Sequence, residues 1–374
     1  MYTLFKTLAK TLVRRQNRID WQNIQRVLVI RHRFIGDTLL LEPFLRNLAQ
    51  NLPPTCKIDV LVSKGSGELL EGHPAVNRLI YFESTSQVLP DLKAANYDIA
   101  FVLKRSWSSA LLALKAGIPL RVGFATEGRS ATLTHPLPYR KDLHEAENFI
   151  EALSAVGLET TPPHTGDWSF LTEAHPLPPS WRDLIQRYHE EGRYCILWHA
   201  VSSNTAKAWP ASQWDSFFKA LDVQKESLPA LAFFVVGSEK DSAYYHDFQA
   251  QYPLPFPLHV SCGQLSLPQS MSLIHHLDAS IGIDSGPMHM AGTAGHPLLL
   301  IFGPSAPWRW TPLSDATVTV LQSALPCQPC QLSVPCHFDS ACLRHLSPLR
   351  VASTFVNLLE SLPLPLKSGA SKNA

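Results

Sequence analysis

The 374-residue sequence has no apolar run of the roughly 18 to 20 residues needed to cross a bilayer. Its opening, MYTLFKTLAKTLVRRQNRID, lacks the apolar h-region and small-residue cleavage site of a secretory signal, so the expected location is the cytoplasm. Net charge is almost absent. The 32 Lys and Arg against 31 Asp and Glu leave +1, which excludes a global field directed at nucleic acid or at strongly acidic partners. Seven cysteines, three of them scattered at Cys56, Cys195 and Cys262, are too few for a secreted disulfide scaffold. No G-x-G-x-x-G follows a strand-like run, which argues against a nicotinamide-dependent oxidoreductase, and no P-loop lysine motif is present. What remains is a 45% hydrophobic, 17% charged soluble globular chain with room for two domains, its disorder confined at most to the ends.

Short β-branched runs alternate with segments of helical period. RVLVI, KIDVLVS, RLIYFES and YDIAFVLK read as strands, TLLLEPFLRNLAQ and WSSALLALKAGI as helices, and GSGELLEGH as a helix or turn. Pro43 restarts or kinks the first helix. From about 160 to 185 the composition becomes proline-rich without a period, the mark of an interdomain connection. Alternation resumes with YCILWHA, PALAFFVVGS, ASIGID and PLLLIFG as strands, WPASQWDSFFKAL and LPQSMSLIHHL as helices, and SPLRVASTFVNLLESL as a terminal helix. The expected fold is α/β: two doubly wound parallel sheets with right-handed crossovers. Expected boundaries are an arm over 1–20, domains over 21–170 and 171–347, and a last helix with its tail over 348–374.

Ligands of such sheets bind beyond the carboxyl ends of the strands. After the first strand, Gly36 permits a tight turn and Asp37 begins a helix, either as its N-cap or as a general base facing a cleft. After YCILWHA, Ser202, Ser203 and Asn204 offer short hydrogen-bonding groups. Lys207 is either a phosphate-binding cation or a solvated loop lysine ahead of a helix that Pro210 opens. Glu239 and Asp241 are surface acids or acceptors for ribose or sugar hydroxyls. Asp284 ends a strand, Ser285 and Gly286 turn the chain, and Pro287 begins a helix carrying His289. That start either cradles a pyrophosphate or holds a satisfied histidine.

Two features stand apart. Cys327, Cys330, Cys336 and Cys342 form C-x2-C-x5-C-x5-C, whose tight first pair is of the zinc-chelating kind and whose second pair is spaced more widely than in zinc ribbons. A structural zinc, reduced thiols and a local disulfide compete there. The N-terminal arm sets Phe5, Leu8, Leu12 and Val13 against Lys6, Lys10, Arg14, Arg15 and Arg18, either a basic amphipathic helix on an anionic membrane surface or a solvated or packed segment.

The segments VLVIRHRFIGDTLLLEPFLRNL, RSWSSALLALKAGIPLRVGF, HEAENFIEALSAVGL, SSNTAKAWPASQW and IDSGPMHMAGTAGHPLLLIFGPSAPWRWTP, in that order, resemble glycosyltransferase family 9, the ADP-heptose:lipopolysaccharide heptosyltransferases. The resemblance implies a GT-B architecture, two Rossmann-like domains whose parallel sheets face a central cleft, with the last helix crossing back to the first. It implies inverting, metal-independent transfer of heptose from ADP-heptose to the lipopolysaccharide inner core, with no required cofactor. Asp37 would be the general base and Gly36 the turn near the acceptor. Ser202, Ser203, Lys207, Asp284, Ser285, Gly286 and His289 would hold the donor, and Glu239 its ribose. The implied partners are the donor, a lipid-anchored core acceptor and the inner-membrane surface, with no nucleic acid. A family member with another nucleotide-sugar donor or acceptor, or a non-catalytic nucleotide-sugar-binding protein, is the alternative. The late cysteines and the basic arm are not explained by the resemblance.

Overall fold

The computed structural model describes residues 19–225, 228–332, 336 and 338–363. The basic arm lies almost wholly outside the described residues, as does the tail after Pro363. Contacts divide the chain into two compact units, one ending at Leu171 and the other beginning at Thr172.

The first unit is built on strands β1 (Arg26–Ile30), β2 (Lys57–Val62), β3 (Arg78–Tyr81), β4 (Ile99–Val102), β5 (Leu120–Phe124) and β6 (His135–Leu137), ordered β3-β2-β1-β4-β5-β6. Every pairing is parallel. Val27 to Ile30 are fully buried, as expected of a central strand covered on both faces. Pro43 acts as a restart. One helix runs Ile35–Leu39, and a second, Glu42–Asn51, takes Pro43 in its first turn, where the missing N–H costs nothing.

The second unit repeats the plan with β7 (Tyr194–His199), β8 (Leu231–Val235), β9 (Leu258–Val260), β10 (Ala279–Ile283), β11 (Leu298–Phe302) and β12 (Val318–Gln322), ordered β12-β11-β10-β7-β8-β9 and again parallel throughout. Counted from its own first strand, each sheet reads 3-2-1-4-5-6, the Rossmann order. Each therefore has one switch point, between β1 and β4 in the first unit and between β7 and β10 in the second.

Aromatic packing dominates the core of the second unit. Trp198 on β7 meets Trp214 and Phe218 of the helix Ala211–Val223 at ring separations of 5.5 and 4.9 Å, mostly edge to face. The closing helix Pro348–Glu360 is capped by Ser347 and buries Val351, Phe355, Val356 and Leu359 in the same core, with Phe355 5.9 Å from Phe217. It counts with the second unit. The proline-rich stretch is more ordered than a linker: it holds the helix Ser169–Ala174 and the start of the helix Pro179–Glu190.

Candidate functional site

At the switch point of the first unit, Arg31 follows β1 and Leu103 and Lys104 follow β4, both of whose amides bond Ile30 O at 3.2 Å. The Arg31 guanidinium is 3% exposed and reaches two carboxylates. It donates to Asp37 Oδ1 and, at 3.2 Å, to Glu145 Oε1, and its other terminal nitrogen donates to Leu103 O at 3.1 Å. Asp37 and Glu145 are both buried, and the Arg31 guanidinium is shared between the two carboxylates. Tyr139 donates its hydroxyl to Glu145, and the face of Phe149 lies 4.9 Å from the guanidinium carbon.

Two expectations need correction here. The N-cap of the helix Ile35–Leu39 is Phe34, and Asp37 sits in its first turn with the carboxylate turned to Arg31, so Asp37 is not a cap. Gly36 is inside that helix and has no left-handed φ, so it does not make the expected tight turn.

Beside this group Lys104 Nζ lies 3.0 Å from His32 Nδ1, and His32 Nε2 lies 3.1 Å from Ser109 Oγ. Burial, reinforced by Lys104, Arg31 and Arg33, pushes His32 down to about 4, so the ring is neutral at pH 7. Burial and the same arginines also lower Lys104, against the pull of Asp37. Arg105 stacks over Tyr139 at 4.0 Å. The end of this sheet is thus rich in cations, a property the sequence pattern around Asp37 did not bring out, although RHR and KR directly after two strands were its visible signal.

At the switch point of the second unit, Ser202 Oγ accepts from Asn204 N at 3.3 Å and Asn204 Oδ1 accepts from Ala206 N at 3.1 Å. These bonds shape the short turn Thr205–Lys207, anchored by buried Trp209, whose indole donates to Leu343 O at 3.0 Å. The turn brings Lys207 Nζ within 2.7 Å of Asp284 Oδ2, just past β10. Ser285 is the N-cap of the helix Gly286–Gly292, which takes Pro287 in its first turn and buries His289. Its hydroxyl lies 2.9 Å from Nδ1 of His199, the last residue of β7. Burial pushes His199 down to about 4, so it too is neutral at pH 7. The close spacing needs Gly282, where a Cβ would fall 2.7 Å from His199 O and 2.7 Å from Met288 Sδ.

The fold therefore brings Lys207, Asp284, Ser285, Gly286 and His289 to one end of one sheet, with Ser202 and exposed Ser203 on the adjoining turn. His199 joins them unforeseen. Glu239 opens the helix Glu239–Gln251 and is exposed, while Asp241 forms a capping box with Ser238 and so is explained by its helix. The four late cysteines line one pocket, and none of the seven cysteines is joined in a disulfide. Burial raises the Cys342 thiol, and the neighbouring cysteines add to that shift. A different trio, His189, Cys195 and Asp278, places its ligand atoms within 4.8 Å of one another at the opposite end of β7. There His189 Nε2 and the Cys195 amide both bond Asp278 Oδ2, at 2.9 and 2.7 Å.

Two α/β units of one strand order in a single chain match the two-domain plan of the GT-B class. The chain belongs to glycosyltransferase family 9 (heptosyltransferase), whose profile matches residues 87–340, and it is accordingly an enzyme. It is 24% identical over 302 residues to lipopolysaccharide heptosyltransferase 3 of Escherichia coli, covering 76% of this chain and 85% of the relative. Against lipopolysaccharide heptosyltransferase 2 of E. coli strain K12 the identity is 26% over 311 residues, covering 77% and 86%. The solved E. coli ADP-heptose lps heptosyltransferase II shares the fold with a TM-score of 0.68 at 24% identity, covering 90% of this chain and 99% of that one.

Proposed function

We propose that this protein transfers heptose from ADP-heptose to a lipid-anchored lipopolysaccharide core acceptor at the cytoplasmic face of the inner membrane. In this reading transfer inverts the anomeric carbon and uses no metal at the phosphates. The names of the relatives support the substrates, and two observations carry the chemistry, one within each unit. A buried carboxylate fixed by Arg31 closes one switch point, and a lysine fixed by Asp284 closes the other.

The acceptor hydroxyl oxygen attacks the anomeric carbon as the bond from that carbon to the diphosphate breaks. The electron pair leaves with ADP, and the hydroxyl proton passes to Asp37. Arg31 holds Oδ1, so Oδ2 takes the proton. An ammonium has three donors: Asp284 uses one of Lys207's and orients the rest toward the departing diphosphate. Ser202, Ser203, Ser285, Gly286 and His289 complete the phosphate site, where a helix start contributes amides with no intrahelical partner. Glu239 binds the adenosine ribose, and Gly36 lets the helix carrying Asp37 approach the acceptor. The cations Arg33, Lys104 and Arg105 favour an acceptor bearing negative charge.

The test is transfer with purified protein, ADP-heptose and heptose-deficient core acceptor, with no divalent cation added. A product of inverted anomeric configuration by NMR is expected. No turnover of ADP-heptose, with turnover of another nucleotide sugar, would reassign the donor. Tight nucleotide binding with no transfer to any acceptor would make the protein a binding module.

A further inference from the structure

The cysteine pocket has no part in that chemistry. Cys327, Cys330, Cys336 and Cys342 line it together with Ala206, Pro304 and Phe338. Its two sides are tied to one frame, the ends of β11 and β12. Between the first pair, Gln328 donates to Gly303 O at 2.9 Å and accepts from Leu325 N at 3.1 Å; just past that pair, Gln331 N donates to Pro304 O at 2.8 Å. On the other side, Cys342 O accepts from Ser323 Oγ at 2.6 Å. A Cβ on Gly303 would fall 2.8 Å from the Leu343 side chain, so that side is packed directly against the sheet end.

The backbone between these anchors is costly. Gln331, Leu332, Asp339 and Ser340 have φ of 51, 54, 46 and 54°, the left-handed region, against one other non-glycine residue among those described. Each such residue is held in a conformation that L side chains adopt only under strain. Little apolar burial offsets that: Phe338 is 61% exposed, and Cys327 and Cys336 are exposed as well. Ser340 N donates to Cys336 Sγ at 3.3 Å, the kind of amide-to-sulfur bond that supports a metal-bound thiolate.

We infer that these four cysteines bind one metal ion as a tetrathiolate site, zinc being the occupant that fits four thiolates and a closed tetrahedral geometry. Ligation offsets the strained turns by the free energy of metal–sulfur bonding. Cys327 and Cys336 are exposed, and binding draws them in toward Cys330 and Cys342. Ala206 forms part of the pocket wall, so the metal braces the turn that carries Lys207.

The test uses full-length protein purified under reducing conditions without chelator, and neither readout involves ADP-heptose, so it stands or falls apart from the proposed activity. Elemental analysis is expected to find about one equivalent of zinc, falling below about a tenth in a Cys327→Ser, Cys330→Ser variant that keeps the wild-type circular dichroism. Iron at the same stoichiometry and with the same cysteine dependence upholds the tetrathiolate site and identifies its occupant. Protein stripped by chelator and titrated with cobalt(II) is expected to develop a thiolate-to-cobalt charge-transfer band. Wild-type protein with under a tenth of an equivalent of any metal and no cobalt band overturns the site, as does a metal content unchanged in the variant.

Discussion

At the scale of single residues, the account turns on two ion pairs whose surroundings differ. Arg31 is buried between Asp37 and Glu145, so Arg31→Ala leaves two carboxylates without their shared cation. Such a loss costs about 3 to 5 kcal/mol, and urea unfolding is expected to show it, with Arg31→Lys retaining part of the stability. Lys207 is more accessible, 28% exposed against 8% for Asp284, as befits a cation shared with a ligand. Lys207→Ala is expected to weaken ADP binding roughly ten- to hundredfold by calorimetry, the worth of a charged hydrogen bond; unchanged affinity would move the phosphate site elsewhere. The residues named from sequence at the second switch point lie together because each follows directly after a strand, where position in the pattern implies position in space. Glu145 and His199 escaped that reasoning, and Arg31, although it directly follows β1, was given no partner by it. Glu145 is 114 residues from Arg31, and no local pattern announces a pairing over that span.

At the scale of elements, what was legible largely followed length and burial, with two exceptions: β5 is five buried residues and was not read as a strand, and half-buried β3 was. The central strands β1, β4, β7 and β10 are near-continuous apolar runs and stood out. The edge strands β6 and β9 have three residues each and only partial burial, so their sequences carry no comparable signal. Strand β12 lies at the other edge and is also mostly half-buried. The helix containing Asp37 was misjudged for a related reason. An aspartate near a helix start reads as a cap, but Phe34 takes that position and a tertiary partner claims the carboxylate. Gly282 is where element spacing bears most directly on the site. Gly282→Ala would push β10 from β7, and a loss of about 1 to 3 kcal/mol of stability together with weaker ADP binding is expected from thermal unfolding and calorimetry. Wild-type values for both would mean that the strands adjust and that their separation does not set the site.

At the scale of the molecule, the doubled Rossmann plan was legible because alternating strand and helix signals recur on both sides of a proline-rich stretch; the strand order within each sheet was not, since it depends on which strands pair. Stability as a function of pH is also a property of the whole. His32, His199 and His296 are each pushed down to about 4 by burial. A depressed histidine is neutral in the folded state while the unfolded chain takes up a proton below about 6.5. Their contribution is therefore complete above that pH and is lost as pH falls toward 4, at up to about 1.4 kcal/mol per pH unit for each. Urea midpoints measured between pH 7 and pH 4 are expected to fall accordingly; a flat profile would contradict the burial of neutral rings. The most direct test of the central claim is heptose transfer by Asp37→Asn, measured beside its affinity for ADP. The account predicts transfer reduced by about two to four orders of magnitude with nucleotide binding intact. Near-normal transfer by the variant would leave Asp37 only a structural partner of Arg31, and the catalytic assignment would be wrong.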